Sequence, residues 1–175
     1  MHATSDSFIA LGVALVTVSD TRTTDTDQSG DYLSDAVAEA GHRLAGRRLV
    51  PDDIYRIRAV VSAWVADDDV QAVILTGGTG MAPRDRTPEA VRPLFDMEVA
   101  GFGELFRMVS FDEIGNSTLQ SRAVAGLANE TLIACLPGST GACRTGWARI
   151  LKDQLDIRHR PCNLAQLVLA EGVSE

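Results

Sequence analysis

The sequence predicts an α/β domain: a three-layer α/β/α arrangement with a mainly parallel sheet. Short apolar runs alternate with amphipathic stretches along the chain, which is the pattern of strand–helix–strand units. The runs are apolar throughout rather than at every second residue, as expected of strands buried on both faces. Each run ends in a polar or glycine-rich segment, and in a parallel sheet such segments collect at one edge, where ligands bind.

The elements follow in order. Residues 9–18 (IALGVALVTV) read as a first buried strand that stops at Ser19-Asp20-Thr21-Arg22. Tyr32, Leu33, Ala36, Val37 and Ala40 recur at helical spacing, and Gly41 is placed as a C-terminal stop. Residues 44–50 offer a second strand closed by Pro51-Asp52-Asp53, and Ile54, Ile57, Val61, Trp64 and Val65 form one apolar helix stripe. Residues 72–75 are the third strand. Ala90, Val91, Leu94 and Phe95 suggest a helix, and Phe102, Leu105, Phe106 and Val109 another. Residues 121–127 are expected to be helical, residues 131–136 form the fourth strand, and Pro137-Gly138-Ser139-Thr140-Gly141 ends it. Trp147, Ile150, Leu151 and Leu155 predict a further helix and residues 164–169 a short last one. The expected organisation is one domain over residues 9–170, with a flexible N-terminus at 1–8 and a C-terminal tail at 171–175.

A chain of 175 residues with 45% apolar residues and a mean hydropathy of +0.03 is large enough to build a core unaided. No apolar run approaches the ~20 residues needed to span a bilayer. The first residues lack the basic region of a signal peptide, so a cytoplasmic protein is expected. A net charge of −8 argues against a nucleic-acid partner, whose phosphates demand clustered Lys and Arg. Cys135, Cys143 and Cys162 match no zinc spacing and no disulfide framework, and His2, His42 and His159 are scattered.

The chemistry concentrates in LTGGTGMAPRDRTPEA, residues 75–90. Gly77, Gly78 and Gly80 let the backbone adopt left-handed angles and bring N–H groups close to a ligand. With Thr76 and Thr79 they suit either a strand–loop–helix anion cradle or a plain tight strand-to-helix turn, and neither a dinucleotide fingerprint nor a P-loop is matched. Thr87 before Pro88 reads as the N-cap of the next helix, which leaves Asp85 with a function or with a pairing to Arg84 or Arg86. Asp52 and Asp53 are equally able to cap the helix after the second strand, and the sequence does not choose between them. Ser139 and Thr140 suit either a cap or an anion site at the next helix, and Arg144 is near enough along the chain to supply a cation.

Thr76-Gly77-Gly78-Thr79-Gly80 followed by Pro83-Arg84-Asp85-x-Thr87-Pro88-Glu89-Ala90 resembles the signature of the MoaB/Mog family of molybdenum-cofactor biosynthesis proteins. Further segments place the resemblance nearest the bacterial MoaB branch: VVSAW at 60–64, GFGELFR at 101–107, LQSRAVAG at 119–126, LPGSTGACR at 136–144 and RPCN at 160–163. It spans residues 11–163.

The resemblance implies a three-layer α/β domain assembling as a homo-trimer or hexamer, with molybdopterin and ATP as ligands, Mg²⁺ as cofactor and other pathway proteins as possible partners. It implies adenylylation of the molybdopterin terminal phosphate with release of pyrophosphate. Asp85 falls on the family's essential aspartate and Asp52 on the acidic position after the second strand; both are the implied catalytic residues and Mg²⁺ ligands. Ser19, Asp20, Ser29 and Gly30 match first-loop segments near nucleotide and pterin, and Ser121 matches a ligand-contacting serine. Thr76, Gly77, Gly78, Thr79, Gly80, Pro137, Gly138 and Ser139 line the same implied cleft. The alternative within the family is a protein that binds molybdopterin or pathway partners without turnover; retention of both acids favours the enzyme.

Overall fold

The computed structural model describes residues 6–169. Residues 1–5 of the expected N-terminal segment, residue 170 and the expected tail at 171–175 lie outside the described residues.

Six strands form one sheet: β1 (Gly12–Val18), β2 (Arg43–Val50), β3 (Ala72–Thr76), β4 (Met97–Glu98), β5 (Val124–Ala128) and β6 (Thr131–Leu136). Their order is β2-β1-β3-β6-β5-β4. The pairs β1–β2, β1–β3 and β3–β6 are parallel, whereas β5–β6 and β4–β5 are antiparallel. The helices are α1 (Gln28–Glu39), α2 (Ile54–Val65), α3 (Thr87–Val91), α4 (Ala100–Ile114), α5 (Thr140–Gly146), α6 (Lys152–Gln154) and α7 (Ala165–Val168). A π-helical turn at Trp147–Leu151 joins α5 to α6. Among the described residues no helix is long and apolar enough to cross a membrane.

Alternation along the strands builds the three layers. In β1, Val13 and Leu15 face one core with Leu33 and Val37 of α1, Phe102 and Phe106 of α4, and Trp147 and Leu151. Ala14, Val16 and Val18 face the other core, with Ile57 and Val61 of α2 and Ala90 and Val91 of α3. Both faces of the central strands are fully buried, which is why their sequences show no polar alternation.

The predicted helix over residues 121–127 is instead strand β5. Alanine and leucine favour helix locally, but two other features decide the outcome. Asn129 and Glu130 both take positive φ (46° and 61°), the geometry of a two-residue hairpin turn, and return the chain antiparallel onto β6. Gly126 lies against the Phe95 ring, where a side chain would collide.

Candidate functional site

β1, β2, β3 and β6 run the same way, so the segments after them, which open at Ser19, Pro51, Gly77 and Pro137, meet at one edge of the sheet. There a cleft of about 440 Å³ is lined by Val18, Ser19, Thr21, Arg22, residues 77–80, Asp85, Gln120, Ser121, Pro137 and Gly138; the segment after β2 stands beside it, and neither Asp52 nor Asp20 is among the lining residues. Of the residues expected from sequence, Ser19, Gly77, Gly78, Thr79, Gly80, Asp85, Ser121, Pro137 and Gly138 line this cleft.

The glycine loop needs its glycines for identifiable reasons. Gly77 (φ +101°) passes over the Val18 carbonyl, and Gly78 (φ +64°) leaves no room beside the Thr87 hydroxyl. A Cβ on Gly78 would also stand 3.0 Å from the Asp52 carboxylate, and one on Gly80 would stand 2.7 Å from the Asp85 carboxylate. The two acids thus flank the same short loop from different elements.

Thr87 does not cap α3 as expected. It occupies the first helical position, and its hydroxyl donates to the Gly77 carbonyl at 2.8 Å while its amide donates to the Gly78 carbonyl at 2.9 Å. Latching the loop has displaced capping. Asp85 closes a tight turn, its carboxylate accepting from the Ala82 amide at 2.9 Å.

The choice between Asp52 and Asp53 is resolved by hydrogen bonding. Asp53 caps α2, accepting from the Tyr55 and Arg56 amides at 3.0 and 2.9 Å. Asp52 is thereby released, and its carboxylate reaches across to accept from the Arg86 amide at 3.2 Å. Asp20 accepts from the Asp52 amide at 3.2 Å and pairs with Arg84 at 2.6 Å. Burial raises the Asp52 pKa, and the charges of Asp85 and Asp20 raise it further, outweighing the Arg86 amide and the Arg84 charge. Asp52 therefore stands in excess negative charge.

Other expected residues support the cleft without lining it. Ser29 donates to the Gly138 carbonyl at 2.8 Å, Thr76 donates to the Pro137 carbonyl at 3.0 Å, and Ser139 caps α5 by accepting from the Ala142 amide at 3.2 Å. Gly30 gives its amide to Asp27 at 3.1 Å, where a side chain would also strike Arg47. Arg144 stacks on the Tyr32 ring, 5.2 Å from its centroid, and is not among the lining residues.

Among the residues that sequence reasoning missed, Asp27 and Arg22 shape the first loop. Asp27 is buried, and Thr17, Arg47 and Gly30 donate to it, which together overcome the effect of burial and lower its pKa. Arg22, paired to Asp27 at 3.4 Å, donates to the Gly138 carbonyl at 2.8 Å and is the one cationic side chain on the cleft wall among the described residues. The available signal was the spacing of Arg22 and Asp27 around the first loop, which fits a loop clasp. Burial pushes the Cys135 and Cys143 thiols up, which removes both as nucleophiles.

Among the described residues no three His, Cys, Asp or Glu side chains converge as a self-sufficient metal site. Asp52 and Asp85 offer only oxygen donors. One or two carboxylates completed by substrate phosphates is the usual holding of Mg²⁺, so the residues fit that ion.

The family model described as a probable molybdopterin binding domain matches residues 14–157. The chain belongs to that family. The molybdenum cofactor biosynthesis protein B of Escherichia coli strain K12 is 58% identical over 163 residues, covering 93% of this chain and 96% of that protein. A crystal structure of the molybdopterin biosynthesis enzyme MoaB from Thermus thermophilus superposes with a TM-score of 0.73 at 36% identity, covering 81% of this chain and 89% of that one. The tungsten cofactor synthesizing protein MoaB from Pyrococcus furiosus gives 0.71 at 33% identity, with 82% and 92% covered. This molybdenum-cofactor biosynthesis protein thus shares both the sequence signature and the three-layer fold of the MoaB/Mog proteins.

Proposed function

We propose that the protein binds molybdopterin and ATP at the sheet-edge cleft and adenylylates the molybdopterin terminal phosphate. An oxygen of that phosphate forms a bond to the α-phosphorus of ATP, the α–β bridging bond breaks, and the β- and γ-phosphates leave as pyrophosphate. The observation that carries this reading is the pair of carboxylates against one glycine loop, Asp52 beside Gly78 and Asp85 beside Gly80. In a cleft meant only to hold a phosphate, two acids would weaken binding; with a divalent cation they become ligands.

Mg²⁺, when bound by Asp52 and Asp85, would supply positive charge to the triphosphate and the departing pyrophosphate. The Gly77 amide is spent on the Leu136 carbonyl at 3.0 Å, so the chain contributes the amides of residues 78–80 toward phosphate oxygens, the Arg22 guanidinium as a charge-assisted donor, and a loop geometry fixed by Thr87. Phosphoryl-type transfer asks mainly for positioning and charge, and the absence of histidine from the cleft lining is compatible with it. The decisive assay is pyrophosphate release from purified protein given molybdopterin, ATP and Mg²⁺. Tight molybdopterin binding with no release would select the non-catalytic member of the family instead.

Arg22→Ala is expected to raise the KM of the phosphorylated substrates about tenfold, the worth of one hydrogen bond to a charged group. Steady-state kinetics, with Arg22→Lys as a charge-retaining control, checks it. The homo-trimer or hexamer is part of the same proposal. On α4, Leu105, Met108, Phe111 and Ile114 recur every third residue and are exposed, an apolar stripe that a second copy would cover. Light scattering should find an oligomer for the native chain and a smaller species for Phe111→Asp.

A further inference from the structure

Arg122 lies just before β5, and its side chain reaches the loop that carries Asp85. Its Nε donates to the Gly80 carbonyl at 2.9 Å and one terminal nitrogen donates to the Asp85 carbonyl at 2.5 Å. The other terminal nitrogen donates to the Glu89 carboxylate, and the Arg122 amide donates to the Thr79 carbonyl at 3.2 Å. Four bonds from one residue therefore span residues 79–89. Thr87 fastens the same stretch separately, its hydroxyl donating to the Gly77 carbonyl. Between these anchors residues 81–84 are exposed, held by the turn that Asp85 closes with Ala82 and by the Arg84–Asp20 ion pair.

Glu89 serves the same arrangement. Burial would raise its pKa, but the Arg122 guanidinium more than offsets this and keeps the carboxylate ionised. Its second oxygen is buried without a hydrogen-bond partner, a cost that a solvated surface pair would not bear. A planar guanidinium fixed at Glu89 presents its N–H donors in spread, fixed directions and so meets two separate backbone carbonyls at once, a geometry that a compact ammonium matches poorly.

We propose that Arg122 is a positioning residue of the candidate site: anchored on Glu89, its guanidinium clamps the backbone at Gly80 and Asp85 and so holds the Asp85 carboxylate toward the cleft. The inference deepens the proposed function and rests on it for its catalytic consequence, whereas the clamp itself is testable without turnover. Arg122 donates to main-chain carbonyls of the loop and does not line the main cleft, so its removal should alter the placement of Asp85 before it alters substrate affinity.

The test compares wild-type protein with Arg122→Lys, Arg122→Ala and Glu89→Gln. Trypsin can cut the native loop after Arg84 or Arg86, both exposed, and fragment masses report where it cuts. Both Arg122 variants should be nicked there about tenfold faster than wild type, with cutting elsewhere unchanged, as local opening requires. Glu89→Gln should fall between them and wild type. In the pyrophosphate assay both Arg122 variants should lose about 10²-fold in kcat while the KM for ATP moves less than about threefold, the effect of misplacing a group that acts in the transition state. Rescue by Lys, nicking no faster than wild type, or nicking raised equally at all sites would overturn the clamp, as would a raised KM with unchanged kcat. If wild-type protein releases no pyrophosphate, the adenylylation reading fails, and the nicking pattern still decides the clamp.

Discussion

Asp85→Asn is expected to cut pyrophosphate release by about 10²–10³-fold, the scale of loss when one charge-stabilising group leaves a site that works by electrostatics. The substitution is close to a pure removal of charge. Asn keeps an oxygen to accept the Ala82 amide, so the turn survives, and Gly80 still has the space its neighbour requires. Molybdopterin binding, followed by fluorescence titration, should stay within about twofold because the amides of the glycine loop are untouched. Raising Mg²⁺ should recover part of the lost rate if the carboxylate acts through the ion. Turnover within about threefold of wild type would reduce Asp85 to a turn former and remove the main support for catalysis at this cleft.

The convergence of loops at the sheet edge was legible before any coordinates, because four apolar runs each ended in polar or glycine-rich residues. That pattern follows directly from parallel strands buried on both faces. β5 was not legible: Ala123, Val124, Ala125, Gly126 and Leu127 carry no alternation, since both their faces are covered, and only the Asn129-Glu130 turn reveals the hairpin. The acids were half legible. Position alone singled out Asp85, but the release of Asp52 depended on which neighbour capped α2, a matter of side-chain geometry rather than residue type. Thr87 shows the same limit, since a threonine before proline satisfies the capping pattern whether its hydroxyl turns to its own helix or back to Gly77. Arg122 lay within a recognisable segment, yet its reach across to Gly80 and Asp85 is a contact between distant parts of the chain.

Asp52→Asn should slow pyrophosphate release by about 10-fold or more and, at the same time, make the ligand-free protein more stable. The two effects share one cause. The folded-state pKa of Asp52 is raised above its ordinary value of 3.8 by burial and by Asp85 and Asp20. Between that value and the raised one, the folded chain binds more protons than the unfolded chain, so the contribution of this group to stability falls as pH rises through the window. At neutral pH the ionised carboxylate is thus a net cost, and Asn, which can still accept the Arg86 amide, removes it. Calorimetry at pH 7 should show a higher Tm for the variant than for the native chain. The gain should vanish below pH 3.8, where Asp52 is protonated in both states. Because Asp53 and not Asp52 caps α2, loss of a cap cannot explain a loss of turnover in this variant. A variant that is both normal in turnover and unchanged in Tm would mean that Asp52 is solvated and uninvolved. A variant that is more stable yet inactive would mean that the fold tolerates an unfavourable charge at the position where the reaction needs one.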